Sequence, residues 1–137
     1  MRNCLKSVTV SIYVENYPHH SVFVSLESYY NASHKLLRRL GANGSYLGFY
    51  YTASAIDLVM DSGEPIYQCK WLYGEVAKLY HTTPYCVERN IRTVVDAIWS
   101  QGNRELLVEI IPYPANAKPK NAQFIDGLVS YLSDMEE

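Results

Sequence analysis

The sequence predicts a mainly α-helical fold: a compact domain of about six helices containing a helix-turn-helix, with a short N-terminal appendage resembling a β-hairpin. Three observations carry that expectation. From Asn31 onward, apolar residues recur at helical spacing rather than in alternation. Residues 72–103, LYGEVAKLYHTTPYCVERNIRTVVDAIWSQGN, divide into a short helix, a tight turn and a long helix. Residues 1–30 instead hold two β-branched and aromatic runs, SVTVSIYV at 7–14 and SVFVSLESYY at 21–30, separated by a segment containing Pro18.

A lone hairpin is marginal in water, so residues 1–30 are expected to lie against the helical part or to pair with another chain. Asn31 is placed to cap a helix reaching about Leu40, which Gly41 and the Asn43–Gly44 pair end. A second helix is expected from about Ser45 to Met60, carrying Leu47, Tyr50, Tyr51, Ala55, Ile56 and Val59, with Asp61, Ser62 and Gly63 as its stop. Residues 66–73 read as a short helix or turn. Gly74 and Glu75 open the next helix, the acid suiting the positive end of its dipole, and Val76, Ala77 and Tyr80 face inward. The turn is Tyr80 to Thr82. Thr83 then supplies an N-cap hydroxyl, and Pro84 stands where a missing N–H costs nothing.

Advancing about 100° per residue along the following helix puts Val87, Ile91, Val94, Val95 and Ile98 on one side. The opposite side collects Tyr85, Glu88, Arg89, Arg92, Thr93 and Asp96. Trp99 flanks the apolar face and is expected to pack its ring in the core. Beyond Gly102 and Asn103 come an apolar segment, Leu106 to Ile111, and a loop with Pro112, Pro114 and Pro119. Asn121 is placed to cap a last helix with Phe124, Ile125, Leu128, Val129 and Leu132 inward. The expected division is an appendage at 1–30, a helix-turn-helix domain at 31–133 and an acidic tail at 134–137.

Composition bounds function. A chain of 137 residues, 48% hydrophobic, supports one core rather than two. With a net charge of −2 it is no polycation, and attraction to phosphate must come from local clusters. Such clusters exist at Lys35, Arg38 and Arg39 and at Lys118 and Lys120, and residues 74–104 carry a small positive excess. Cys4, Cys69 and Cys86 form no CxxC pair and have no histidine at metal-ligand spacing, so neither a disulfide frame, a metal site nor a cofactor is expected. No Ser-His-Asp order, glycine-rich phosphate loop or paired acidic motif stands out, so neither an enzyme nor a small-molecule substrate is expected. The N-terminal run is too short and polar for a secretory signal, and no stretch approaches the ~18 apolar residues of a membrane helix. A soluble, cytoplasmic protein with no membrane partner is the expectation. The 13 tyrosines invite stacking on single strands, but Tyr50, Tyr51, Tyr73 and Tyr80 fall at core spacings.

The charged strip of the long helix suits a DNA major groove, its N-terminal end nearest the bases, which makes double-stranded DNA the leading partner. Arg89, near the centre of the strip, is the candidate for bidentate pairing with guanine. Glu88 and Arg92 stand four apart: they form an exposed ion pair, or Glu88 accepts from cytosine while Arg92 reaches base or phosphate. Tyr85, Thr93, Thr83 and His81 are candidates for the phosphate backbone.

GFYYTASAIDLV at 48–59, the 72–103 stretch and AKPKNAQFIDGLVSYL at 117–132 resemble, in order and spacing, the C-terminal DNA-binding effector domain of the sporulation master regulator, the stage zero sporulation protein A family. VER followed by IR and then a W-S-x-G-N ending is the most specific part. The resemblance implies a six-helix domain binding a short DNA box, often in tandem as two copies, through the helix from Pro84. It also implies base-reading and phosphate-contacting roles for Glu88, Arg89 and Arg92, and support or backbone contact for Lys118 to Lys120. Full members carry a phosphorylatable receiver domain, which residues 1–30 are too few to form. Tyr85, Cys86, Asn90 and Thr93 depart from the family pattern, Cys86 standing where a basic residue is expected. An interaction module that dimerises with a full-length relative and reads DNA weakly or not at all is the alternative.

Overall fold

The computed structural model describes residues 23–111 and 117–136, and six α-helices lie among them: α1 (Phe23–Leu40), α2 (Leu47–Ser62), α3 (Leu72–Leu79), α4 (Pro84–Gln101), α5 (Arg104–Ile110) and α6 (Asn121–Glu136). A single 3₁₀ turn, Ile66–Gln68, leads into α3. No strand occurs among the described residues.

The hairpin expected at the N-terminus is not what forms. Residues 23–30, assigned above to its second strand, are the first turns of α1, and Asn31 lies inside that helix rather than capping it. β-Propensity reports fit to a pleated, partly buried surface and gives way without a partner strand. Once residues 32–40 are helical, each preceding residue joins by propagation, which is far easier than nucleating a new element. The first expected strand, 7–14, lies outside the described residues.

α2 is the central helix, packed on α1, α3, α4 and α6. Its buried residues include Gly48, Phe49 and every position from Tyr51 to Val59, a helix enclosed by its neighbours. Leu47, counted above with its apolar residues, is instead 52% exposed at its first position. The polar groups α2 takes inside are partnered. Thr52 Oγ1 donates to the Gly48 carbonyl at 2.6 Å, Ser33 Oγ donates to Asp57 Oδ1 at 3.3 Å, and the Ser54 and Tyr80 hydroxyls pair at 2.7 Å.

Glycines set two close approaches. A Cβ on Gly48 would lie 2.1 Å from the Asn90 carbonyl oxygen, so α2 meets α4 backbone to backbone. Gly41, with φ of 103°, ends α1 as expected, and the chain there rests on the end of α4: a Cβ on Gly102 would lie 2.4 Å from the Leu40 carbonyl oxygen. The same carbonyl accepts from the Asn103 N–H at 2.9 Å, while the Asn103 side chain caps α5 by accepting from the Leu106 N–H at 3.1 Å. The Gly-Asn pair therefore joins three helices.

At the end of α4, Trp99 is half-buried against the core, and its ring carries the Arg104 guanidinium 4.1 Å from its centroid. Arg104 also donates to the Trp99 carbonyl from Nε and Nη2, at 3.0 and 2.7 Å. α6 buries Phe124, Ile125, Leu128 and Leu132 and continues through Asp134 to Glu136. Asn121 does not cap it. The Gln123 side chain accepts from the Lys120 N–H at 2.9 Å, leaving the Asn121 amide to reach α4.

Candidate nucleic-acid interface

The geometry of α4 begins at its cap. Thr83, in extended conformation, accepts from the Cys86 N–H at 3.1 Å through Oγ1, and Pro84 fills the first helical position. With the start fixed, the helical period decides which side faces in. Val87, Ile91, Val94, Val95 and Ile98 are all at most 1% exposed. Burial of that stripe, worth about 1.5–3 kcal/mol for each large apolar side chain, holds the opposite side toward solvent.

On that opposite side, Tyr85 is 66% exposed, Arg89, Arg92 and Thr93 are exposed, and Glu88 and Asp96 are half-exposed. Arg92 Nη2 meets Glu88 Oε1 at 2.6 Å, the exposed i, i+4 ion pair foreseen from the spacing. Thr93 Oγ1 donates to the Arg89 carbonyl at 3.1 Å. Arg89 forms no ion pair among the described residues, so its guanidinium is the strip's uncommitted cation.

The loop before α6 is fastened beside this strip. Asn121 Nδ2 donates to the Glu88 carbonyl at 2.9 Å, Lys118 pairs with Asp96, and Pro119 is buried between two exposed lysines. Lys118 and Lys120 thereby join Arg89 and Arg92, four cations against Glu88 and Asp96, on a protein whose overall charge is negative. Tyr73 on α3 belongs to the same corner. Burial chiefly raises its hydroxyl pKa, the Asn121 side chain bonded to it and nearby Arg92 oppose the rise, and Glu88 adds to it. Tyr73 and Asn121 are neighbours of the strip that sequence spacing does not reveal, because they come from α3 and α6.

The turn between α3 and α4 is closed by bonds from the Tyr80 N–H to Val76 O at 3.3 Å and from the Thr82 N–H to Ala77 O at 2.9 Å. His81 adopts a left-handed φ of 55° and is exposed at the tip, and Thr83 is exposed beside it. Of the sequence-predicted residues, His81, Thr83 and Tyr85 sit at the N-terminal end of α4. Glu88, Arg89, Arg92 and Thr93 follow along its face, with Lys118 and Lys120 on the loop fastened to it. Asn90 adds a fitting the sequence did not announce: its Nδ2 donates to the Cys86 carbonyl at 2.7 Å and lies 3.3 Å from the Cys86 sulfur.

No helix among the described residues is long and apolar enough to cross a membrane. Residues 33–132 match the family described as Sporulation initiation factor Spo0A C terminal, and these residues include α2 to α5 whole, the C-terminal part of α1, most of α6, and every side chain of the strip and its loop. With 100 of its 137 residues within that match, the chain belongs to the family of the sporulation regulator's C-terminal, DNA-binding domain.

Proposed function

We propose that this protein binds double-stranded DNA sequence-specifically as a transcriptional regulator, with α3 and α4 acting as a helix-turn-helix and α4 lying in the major groove. The observation that carries this is the α4 strip: one side of the helix is sealed into the core while the other presents Arg89, without an ion pair among the described residues, between Tyr85 and Arg92. Arg89 reads guanine O6 and N7 through its two parallel N–H groups, a contact worth about 1–3 kcal/mol of discrimination. Glu88 holds Arg92 through their ion pair, so that Arg92 approaches base or phosphate from a fixed direction.

Tyr85, Thr83 and His81 meet the phosphates flanking the entering end of α4. Thr83 is suited to this because its hydroxyl oxygen accepts the cap bond while its own O–H remains a donor. Thr93, Lys118 and Lys120 bond the backbone further along, Lys118 by exchanging Asp96 for a phosphate. Two copies placed side by side serve tandem boxes.

The test is selection of bound duplexes from a random pool, followed by anisotropy titrations of the selected and scrambled sequences. A preference of tenfold or more for the selected duplex is expected. Arg89→Ala is expected to remove about 1–3 kcal/mol and to relax preference at one base pair, whereas Lys120→Ala weakens all duplexes alike. Equal affinity for selected and scrambled DNA would overturn sequence-specific reading.

A further inference from the structure

α1 and α6 pack side by side and leave a half-open groove of about 460 Å³ between them. Its floor is apolar, made by Leu36 and Leu132, and its α6 wall by Tyr131 and Met135, the last 64% exposed. The α1 wall carries Lys35 and Arg39, one turn apart and both exposed. Arg39 Nη1 donates to the Tyr131 hydroxyl at 3.5 Å, so the guanidinium stands at the groove's edge with its remaining donors outward. Neither cation forms an ion pair among the described residues.

From these features we infer that the groove docks an acidic amphipathic helix of a partner protein, whose apolar side chains enter over Leu36, Leu132 and Met135 while its carboxylates pair with Lys35 and Arg39. Three features of the site select this occupant. The groove is open along one side, so a small ligand would stay largely wet, whereas a helix seals the opening with its own backbone. Its volume holds about two anchoring side chains, and a flexible methionine at the lip adapts to their shapes. The cationic wall then chooses acid over base in the partner and rejects a positively charged helix.

The groove is also separate from the α4 strip. Asn121, at the start of α6, bonds the Glu88 carbonyl, while the groove is lined ten to fourteen residues further along the same helix. At 1.5 Å per residue this is about 15–20 Å away along α6, so the groove and the strip are distinct sites.

The test uses the full chain, isotopically labelled for NMR, and three synthetic helical peptides of one length: one with two leucines four residues apart flanked by glutamates, one with lysines replacing the glutamates, and one with alanines replacing the leucines. The acidic leucine peptide is expected to shift amides at 32–39 and 131–135, and to bind at least tenfold more tightly than either of the others. Lys35→Glu with Arg39→Glu, both exposed, is expected to abolish that preference, and Met135→Glu to weaken the peptide while leaving the circular dichroism spectrum unchanged. The proposal is overturned if the three peptides bind alike, if shifts map elsewhere, or if the groove responds only to anionic lipid vesicles. None of these readouts needs DNA, so the result stands apart from the DNA-binding reading, and a repeat with duplex present is expected to give the same shifts.

Discussion

At the scale of single residues, His34 is the most exacting case. It is 6% exposed, with the Phe49 ring centroid 4.8 Å and the Tyr50 ring centroid 5.9 Å from its own. Burial, and secondarily the Arg38 guanidinium, lowers its pKa from 6.5 to about 4. The folded state thus binds this proton less readily than the unfolded chain does. Between about pH 6.5 and 4 the unfolded chain takes up the proton first, so stability is full at neutral pH and declines as pH falls through that window. The loss approaches about 3 kcal/mol near pH 4. Urea melts of the wild type at pH 7 and pH 4.5 are expected to differ by more than those of His34→Gln; equal differences would show that His34 does not contribute. A steric counterpart is Gly48→Ala, whose new methyl would meet the Asn90 carbonyl at 2.1 Å. It is expected to destabilise by about 1–3 kcal/mol as α2 and α4 are forced apart, measurable as a lowered urea midpoint.

At the scale of elements, the helices differ in how legible they were, and the difference follows from where their determinants lie. α4 was readable almost to the residue because its cap, its N1 proline and its apolar stripe are all local, and the structure places each as the spacing predicts. That local origin gives a prediction. Thr83→Ala removes the hydroxyl that accepts the Cys86 N–H and is expected to cost about 1 kcal/mol of stability in thermal unfolding, with Thr83→Ser restoring most of it. Residues 23–30 of α1 are not legible as helix because a short β-branched run has no intrinsic commitment, and the neighbouring helix, not the run itself, decides its state. α5 was visible only as an apolar segment, since seven residues barely show a period, and its start depends on Asn103 being held by Leu40 from another helix. Likewise Asn121 looked like a cap, but its amide bonds the Glu88 carbonyl 33 residues away, and nothing in its own neighbourhood announces that. The strip's members were therefore legible, while the groups that fasten the lysine loop to it were not.

At the scale of the whole molecule, a net charge of −2 means that long-range attraction to DNA cannot come from the total and must come from one face. Arg89, Arg92, Lys118 and Lys120 are the cations gathered there, with Lys118 paired to Asp96. For one copy on a single-box duplex, neutralising up to four phosphates implies that log affinity falls against log salt with a slope no steeper than about −3.6. Asp96→Asn releases Lys118 and removes a carboxylate that faces the same phosphates. It is expected to tighten binding to selected and scrambled duplexes by similar factors, because it alters backbone attraction and not base reading. Titrations between 50 and 200 mM salt check both expectations. A slope well beyond −4 would mean that Lys35, Arg38 and Arg39 on α1 also meet the duplex, and the groove between α1 and α6 would then face DNA rather than a protein partner. A slope near −3.6 or shallower keeps that wall clear of phosphate, so DNA and a protein helix occupy different sides of one small core.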